Sequence, residues 1–534
     1  MSMVNRLFGN RVTRREAIRQ TAGAVAAGLA LSALPAAGVR TAEAAGIRPV
    51  QAASVLNQGS TFKMGLASEP NTFDPHLTLG RNSQILLANV FDGLTARDQN
   101  TNIIPGLATE WGYLGNGSTW QFKLREGVTF HNGDPFDANA VKFTVERAVD
   151  PAIKSTISEL SGIVGADVID PSTVQIRLKQ PDILLPNRLG ELFGGMLSPA
   201  HTMATDAASL ATRPNGTGPF KLTEWVKNER IVLQASPNYW RGPANVSEIT
   251  IRPILEDAAR VAALQTGEVD YISNVPYERI GELQADPNLV VKTVPTPRVF
   301  FVSINPNVAP LNDVRVRQAL NYAVDVEAII SALYLGYATR LATAVGSASF
   351  GYDPSITAYP YDPAKAKALL AEAGYPNGFS IEFDSFTGSI ADHSRPAEAI
   401  AEYLRQVGID VKLNVQEFGA FNSTKRQVNQ VAPLHIYSLG DPYFEPVWAL
   451  KWMQQLNLGL NYRNPEIYGL LDQAEATFDP SARAPIYSKV QQLLKDDAGF
   501  IFLFSNYAAF GMNRRVAYEP RSDETQWFHA LQMM

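Results

Sequence analysis

The sequence predicts an α/β protein of more than one domain, and three observations carry that prediction. A helix at residues 397–407 stands between apolar strands at 379–384 and 411–415, the β, α, β succession that an α/β lobe needs. Residues 216–270 read as a hairpin that leads into a helix, so a second region also mixes both element types. The chain has 534 residues, of which about 490 remain after an N-terminal export segment. At the usual size of about 100–200 residues per domain, that length makes two or three domains.

The export segment is the first element. Arg14 and Arg15 precede a weakly apolar, Ala- and Gly-rich run at 22–38, and Ala42, Glu43 and Ala44 supply a small-residue cleavage site. Paired arginines before such a run are the construction of a twin-arginine signal, assigned here to residues 1–44. The alternative, a membrane anchor, fits less well, because the run is shorter than about 20 residues and mostly Ala. The sequence has no Cys, which excludes a lipoprotein signal, disulfides, thiolate catalysis and Cys-ligated metal. The expectation is a protein exported already folded and free in the periplasm.

Charge narrows the partners. Residues 1–44 hold six Arg and two Glu; without them 40 Lys and Arg face 50 Asp and Glu, a formal charge of −10. Nucleic acid is therefore not expected as a partner, since phosphate binding needs a basic surface. No second long apolar run follows the signal, so no further membrane span is expected.

The remaining elements follow in order. Residues 61–67 read as a strand, and Glu69, Pro70, Asn71, Asp74 and Pro75 as a turn-rich connection. A helix is expected at 83–91, ending at Asp92 and Gly93. In LATEWGYLGNGSTWQFKLREGVTFHNG, residues 107–133, Asn116 and Gly117 provide a hairpin turn, 119–124 alternates as a strand, and 128–130 continues the sheet. Asp137 is placed to cap a helix at 137–148. In TGPFKLTEWVKNERIVLQ, strands at 221–225 and 230–234 flank a polar turn, with Gly216, Gly218 and Pro219 ahead of them. Tyr239 and Trp240 leave the sheet, and a helix at 258–265 ends against Gly267.

Beyond these, 299–304 is an apolar strand, and 313–330 is a helix capped by Asp313. Residues 361–379 hold a helix capped at Asp362, with Pro363 at its first position and Gly374 past its end. The strand, helix and strand of 379–415 follow, and 500–504 closes the chain as an apolar strand.

This ordered set of segments, above all TGPFKLTEWV, ALQTGEVDYI and DVRVRQALNYAVDVEAII, resembles the family 5 extracellular solute-binding proteins, the receptors that hand peptides, nickel chelates, opines or oligosaccharides to ABC importers. The resemblance covers about residues 60–515. It implies a periplasmic-binding-protein fold of type II (cluster C), with two lobes around a ligand cleft and an inserted subdomain. Lobe I is then 45–89 with 215–298 and 500–534, the inserted subdomain 90–214, and lobe II 299–499. It also implies a small-molecule or peptide ligand enclosed by hinge closure, partnership with permease subunits in the inner membrane, and a monomer without cofactor.

The site residues are expectations from the same resemblance joined to chemistry. Asp441, in YSLGDPYFEP, matches the position at which family peptide binders pair a carboxylate with the ligand's α-ammonium. A carboxylate enclosed in a cleft needs a cation, because burying it alone costs several kcal/mol. Pro442, Tyr443 and Phe444 make this loop one residue longer than the family pattern. Peptide binders place an Arg for the ligand carboxylate in the loop after strand 381–384; here that loop, which includes Thr387, contains none, and Arg395 arrives only at the next helix. That absence favours an amine-bearing or polyhydroxylated solute. Trp448 and Trp452, four apart, share a helical face able to stack on a sugar or cover an amine. Phe350 and Tyr352, in SASFGYDP, occupy a loop where family members present cleft-facing residues. His435 alone invites a nickel reading, and none of the six His forms a tight ligand pair. No G-x-S-x-G or phosphate-loop motif is present, so neither a catalytic nor a metal site is expected. The expected ligand is a peptide or amino-acid-derived solute, with an oligosaccharide, opine or other non-peptide solute as the alternative.

Overall fold

The computed structural model describes residues 60–534 apart from 79, 116–117, 191–193, 389–390 and 454–461. The twin-arginine segment, its cleavage site and the Asn116–Gly117 turn lie outside the described residues.

Strand β1 (Thr61–Leu66) buries Phe62, Met64 and Leu66 by simple alternation. The short β2 (Thr95–Arg97) and β3 (Ile103–Pro105) pair with each other. β4 (Ala108–Tyr113), β5 (Thr119–Leu124), β6 (Ile163–Asp170) and β7 (Thr173–Leu178) make an antiparallel sheet in the order β4-β5-β7-β6. The main sheet adds β8 (Phe220–Val226), β9 (Arg230–Ala235), β10 (Glu248–Pro253), β11 (Tyr271–Ser273), β12 (Leu289–Ile304), β13 (Ala338–Arg340), β14 (Ser380–Thr387), β15 (Asp410–Glu417), β16 (Leu434–Gly440) and β17 (Phe500–Asn513). Its order is β15-β14-β16-β12-β17-β11-β1-β10-β9-β8, with β13 beside β17. Both ends contain parallel pairs, β14 with β15 and β16, and β1 with β10 and β11, and each is covered by helices.

The two ends are joined by β12 and β17. Residues 289–295 of β12 pair with 507–513 of β17, and 299–303 pair with 500–505, with register shifts between Pro295 and Val299 and again before Phe301. The cause is in the sequence: Pro295 and Pro297 have no N–H to give the ladder. Thr296 turns its Oγ1 to the Asn506 carbonyl at 2.9 Å instead. Both strands extend well past the expected 299–304 and 500–504, because alternation is interrupted at the prolines while backbone pairing resumes on either side.

The helix expected at 313–330 is two helices, Val314–Ala323 and Val326–Tyr334. Asp325 breaks it by capping the second helix, accepting the Ala328 N–H at 2.9 Å. Residues 128–130 form no strand, only a bridge between Thr129 and Pro135. The caps at Asp137, Asp313 and Asp362 and the Gly374 stop, with φ at 94°, are as the sequence predicts.

Helices at 314–334, 363–372 and 394–406 share one core with β14–β16. The helix Arg81–Val90 shares another with β1, β8–β10, Tyr518 and Phe528. A third runs from the β4–β7 sheet into the helices Pro446–Met453, Pro465–Ala476 and Pro480–Asp497, where Tyr113 stacks on Phe478 at 4.2 Å.

The TGPF segment docks on the end of the helix Arg81–Val90. Gly218 donates its N–H to the Val90 carbonyl at 2.9 Å, and a Cβ on Gly216 would lie 2.0 Å from that same oxygen. Asp92, just beyond, accepts from Tyr239, Trp240 and Thr217 at 2.9, 2.9 and 3.0 Å, which gives the aromatic pair a structural task. Gly216→Ala is therefore expected to destabilise the protein by about 1–3 kcal/mol, as overpacking against backbone does; a urea midpoint equal to wild type would show that the helix end moves freely.

Candidate functional site

The site is built where β16 ends beside the proline-broken part of β12. β16 pairs antiparallel with β12, setting Gly440 against Arg298. The next residue, Asp441, donates its N–H to the Pro297 carbonyl at 3.3 Å. The chain then turns through Pro442, Tyr443 and Phe444, with Phe444 in a left-handed conformation (φ 56°), a costly one for an aromatic residue and one that clusters at functional sites.

Asp441 is 4% exposed. Its Oδ1 accepts the Tyr443 N–H at 3.1 Å and its Oδ2 the Ser349 hydroxyl at 3.2 Å. Among the described residues no Lys, Arg or His forms an ion pair with it. Glu445, nearby, is already held by Arg483 at 2.7 Å and by the Tyr487 hydroxyl at 2.9 Å. Burial, reinforced by Glu445 and only partly offset by these hydrogen bonds and by Arg97, pushes the Asp441 carboxyl up to about 7.

The loop carrying Phe350 and Tyr352 meets this turn. Phe350 donates its N–H to the Phe444 carbonyl at 2.8 Å, and its ring lies under the Arg483 guanidinium at 4.8 Å. Tyr352 is half-buried, its N–H bonded to the Ser349 carbonyl. From the other side Arg97, at the end of β2, donates to the Pro442 carbonyl at 3.1 Å and covers the Phe444 ring at 5.5 Å. Arg188 covers the Tyr443 ring at 5.4 Å.

The aromatics form a row. Tyr443 meets Trp448 edge-on at 5.6 Å, Trp448 stacks on Trp452 at 6.4 Å, and Trp452 stacks on Tyr437 at 5.9 Å. Trp448, Trp452 and Tyr437 are each half-buried, so the row is neither wholly core nor wholly surface. Helical spacing of four explains the Trp pair; only the sheet brings Tyr437 into line with them.

Asp441, Tyr443, Phe444, Trp448, Trp452, Phe350 and Tyr352 thus come together. Thr387 and Arg395 do not join them. Thr387 is exposed at the end of β14, paired with Glu417 of β15. Arg395 is exposed and ion-paired with Asp392 three residues earlier on its own turn. His435 is buried on β16, where burial lowers it to about 4, and among the described residues no three His, Asp or Glu come together to hold a metal. Sequence reasoning missed Arg298, 9% exposed and backbone-paired to Gly440, and Arg97. Neither lies in a segment whose spacing marks it; the PTPR prolines were the available signal.

The profile of bacterial extracellular solute-binding proteins, family 5 Middle, matches residues 102–457. The chain is 31% identical over 485 residues to the glutathione-binding protein GsiB of Escherichia coli O1:K1 / APEC, covering 88% of this chain and 92% of that protein. It belongs to family 5 of the extracellular solute-binding proteins.

Solved structures agree on the fold. The periplasmic binding protein DppA of Helicobacter pylori, in complex with the peptide STSA, superposes with a TM-score of 0.79 at 26% identity, covering 89% of this chain and 98% of that one. The dipeptide-binding protein of Pseudoalteromonas sp. SM9913, at 21% identity and a TM-score of 0.78, covers 89% of this chain and all of that one, and supports the fold alone. The architecture is the two-lobed type II periplasmic-binding-protein fold, and family 5 chains are the binding components of ABC importers. Among the described residues no helix is long and apolar enough to cross a membrane.

The raised Asp441 carboxyl fixes the sign of a pH effect. The native state holds a proton there that the unfolded chain releases above about pH 4, so this group's contribution to stability is full below pH 4 and is lost as pH rises to about 7. Three buried histidines, His76, His393 and His435, and the half-buried His131, lowered by desolvation to between about 3 and 4, act in the opposite direction below pH 6.5. The test is therefore a difference. Asp441→Asn should gain stability relative to wild type by up to about 1.4 kcal/mol per pH unit between pH 4 and 7. Parallel denaturation curves for the two proteins across that range would remove the assignment.

Proposed function

We propose that this family 5 protein is the periplasmic receptor of an ABC importer for short peptides, and that it holds the ligand's α-ammonium on Asp441. The observation that carries the reading is a carboxylate 4% exposed with no cation paired to it among the described residues. Leaving a charge so buried is unfavourable by several kcal/mol, and an arriving ammonium converts that cost into affinity. The peptide named in the DppA complex and the glutathione named for GsiB are ligands with amino groups, which supports the same chemistry here.

The remaining roles follow from this one. Phe350 and Tyr352 back the ammonium pocket, and Tyr443, Phe444, Trp448 and Trp452 offer apolar faces to the ligand's side chains. Residues 60–89, 215–298 and 500–534 move as one lobe and 299–499 as the other, with 90–214 inserted in the first. Closure on the ligand is the signal read by the permease, because a ligand shifts an equilibrium only by its preference for the closed state. The protein performs no catalysis, works as a monomer without cofactor or nucleic acid, and reaches the periplasm by the twin-arginine signal at 1–44. The row from Tyr437 to Tyr443 also favours a second reading, a saccharide stacked on Trp448 and Trp452.

Calorimetric titration with trialanine and N-acetyl-trialanine separates these. Trialanine should bind and the acetylated peptide should bind at least about 30-fold more weakly, as expected when one member of a buried charge pair is removed. Trialanine affinity should also fall as pH drops below about 7, because Asp441 must ionise to receive the ammonium. Equal affinity for both peptides would sink the Asp441 assignment. Loss of oligosaccharide binding in Trp448→Ala, with no peptide binding to wild type, would establish the saccharide instead.

A further inference from the structure

A second charged centre lies one residue away from Asp441. The Arg298 guanidinium folds over Gly440, its Nη2 3.4 Å from where a Cβ on that glycine would stand, and donates to Glu524 Oε2 at 3.0 Å. Arg81 approaches the same oxygen at 3.5 Å. Among the described residues Arg298 has no other side-chain partner, and Arg81 Nη1 is buried with no hydrogen-bond partner at all. Asp523, the neighbouring acid, is already occupied by Arg521 and by the Thr525 N–H at 3.0 Å. Among the described residues Arg81 and Arg298 therefore share the single carboxylate of Glu524, with Arg298 buried and Arg81 half-buried.

The placement of Arg81 makes the surplus sharper. It is the first residue of the helix Arg81–Val90, whose Gly80 cap gives no side-chain hydrogen bond and whose first turn has no acid. A cation there sits at the positive end of the helix dipole, where an anion is favoured and a cation is not. Burial lowers Arg81 below its ordinary value, and the like charge of Arg298 adds to that against the pull of Glu524. Glu524 holds its position from a left-handed backbone (φ 62°), uncommon for Glu. These features describe guanidinium edges held ready, with an Arg81 donor that no described residue uses.

We propose that Arg298 and Arg81 form an anion site that takes the ligand's carboxylate, with Glu524 orienting both guanidiniums. The site and Asp441 then make two poles of opposite sign, set on adjacent positions of β12 and β16, which select a short zwitterionic solute. It rests on the peptide-receptor reading for the identity of that carboxylate, but not for the anion site itself. The arginine expected in the loop at 385–394 is then unnecessary, because its chemistry is supplied from β12 and from the start of the first helix.

Two measurements on the purified protein test it. In the first, the thermal midpoint is compared in potassium acetate and potassium chloride at equal ionic strength. Acetate should raise the wild-type midpoint in a saturable way and leave Arg298→Gln and Arg81→Gln unmoved, and Arg81→Gln should have a midpoint in chloride no lower than wild type, since it removes a surplus charge. In the second, trialanine and its C-terminal amide are titrated: the amide should bind at least about 30-fold more weakly to wild type, and Arg298→Gln should bring trialanine down to the level of the amide without changing the amide's affinity. An acetate response with neither peptide bound keeps the anion site and rejects the peptide reading. No preference for acetate over chloride, or equal affinity of wild type for trialanine and the amide, overturns the proposal.

Discussion

Everything at the site depends on the break in β12 at residues 295–298. Two prolines two apart cannot both sit in a continuous ladder, so the strand pairs with β17 in one register before them and another after them. The freed Pro297 carbonyl accepts the Asp441 N–H, and the next residue sends Arg298 across Gly440. A local defect in hydrogen bonding thus places a carboxylate and a guanidinium side by side where the two ends of the main sheet join.

Electrostatics give the arrangement its purpose. Among the described residues, buried charges are matched in pairs such as Arg147 with Asp74 at 2.6 Å, Arg483 with Glu445 at 2.7 Å and Lys425 with Asp384 at 2.6 Å. Against that background, among the described residues Asp441 has no ion-pair partner and Arg81 and Arg298 share the one carboxylate of Glu524. A folded protein tolerates such mismatches only where something else offsets them, and in a binding protein the ligand is the natural complement. On the proposed reading the charge is arranged before the ligand arrives, so little of the binding energy goes into reorganising side chains.

The aromatic row supplies the non-directional part. Tyr437, Trp448 and Trp452 contact one another and stay half-buried, while Tyr443 is buried at the end of the row; on the proposed reading the open faces cover ligand side chains without reading their identity. Arg97 and Arg188, from the region between the first helix and β8, lie over Phe444 and Tyr443 and so tie that region to the turn holding Asp441.

The sequence by itself determined most of the elements and brought Asp441 forward as a candidate. Capping residues, alternation and turn glycines act within a few residues of the chain, so the helices at 138–149 and 363–372, the β8–β9 hairpin and the β, α, β run at 380–417 were legible from neighbours alone. Asp441 and the Trp448, Trp452 pair were legible for the same reason, lying within one loop and one helix. The sequence misjudged the helix at 313–330, where a capping Asp325 outweighed continuous apolar spacing, and the length of β12, where prolines hid a strand that persists on either side. Tertiary structure alone decided that Tyr437 joins the aromatic row, that Arg395 pairs locally with Asp392, and that Arg81, Arg298 and Glu524, separated by more than two hundred residues at each step, meet at one oxygen. Such a meeting is set by strand order and register, and neither is recorded in the spacing of residues along the chain.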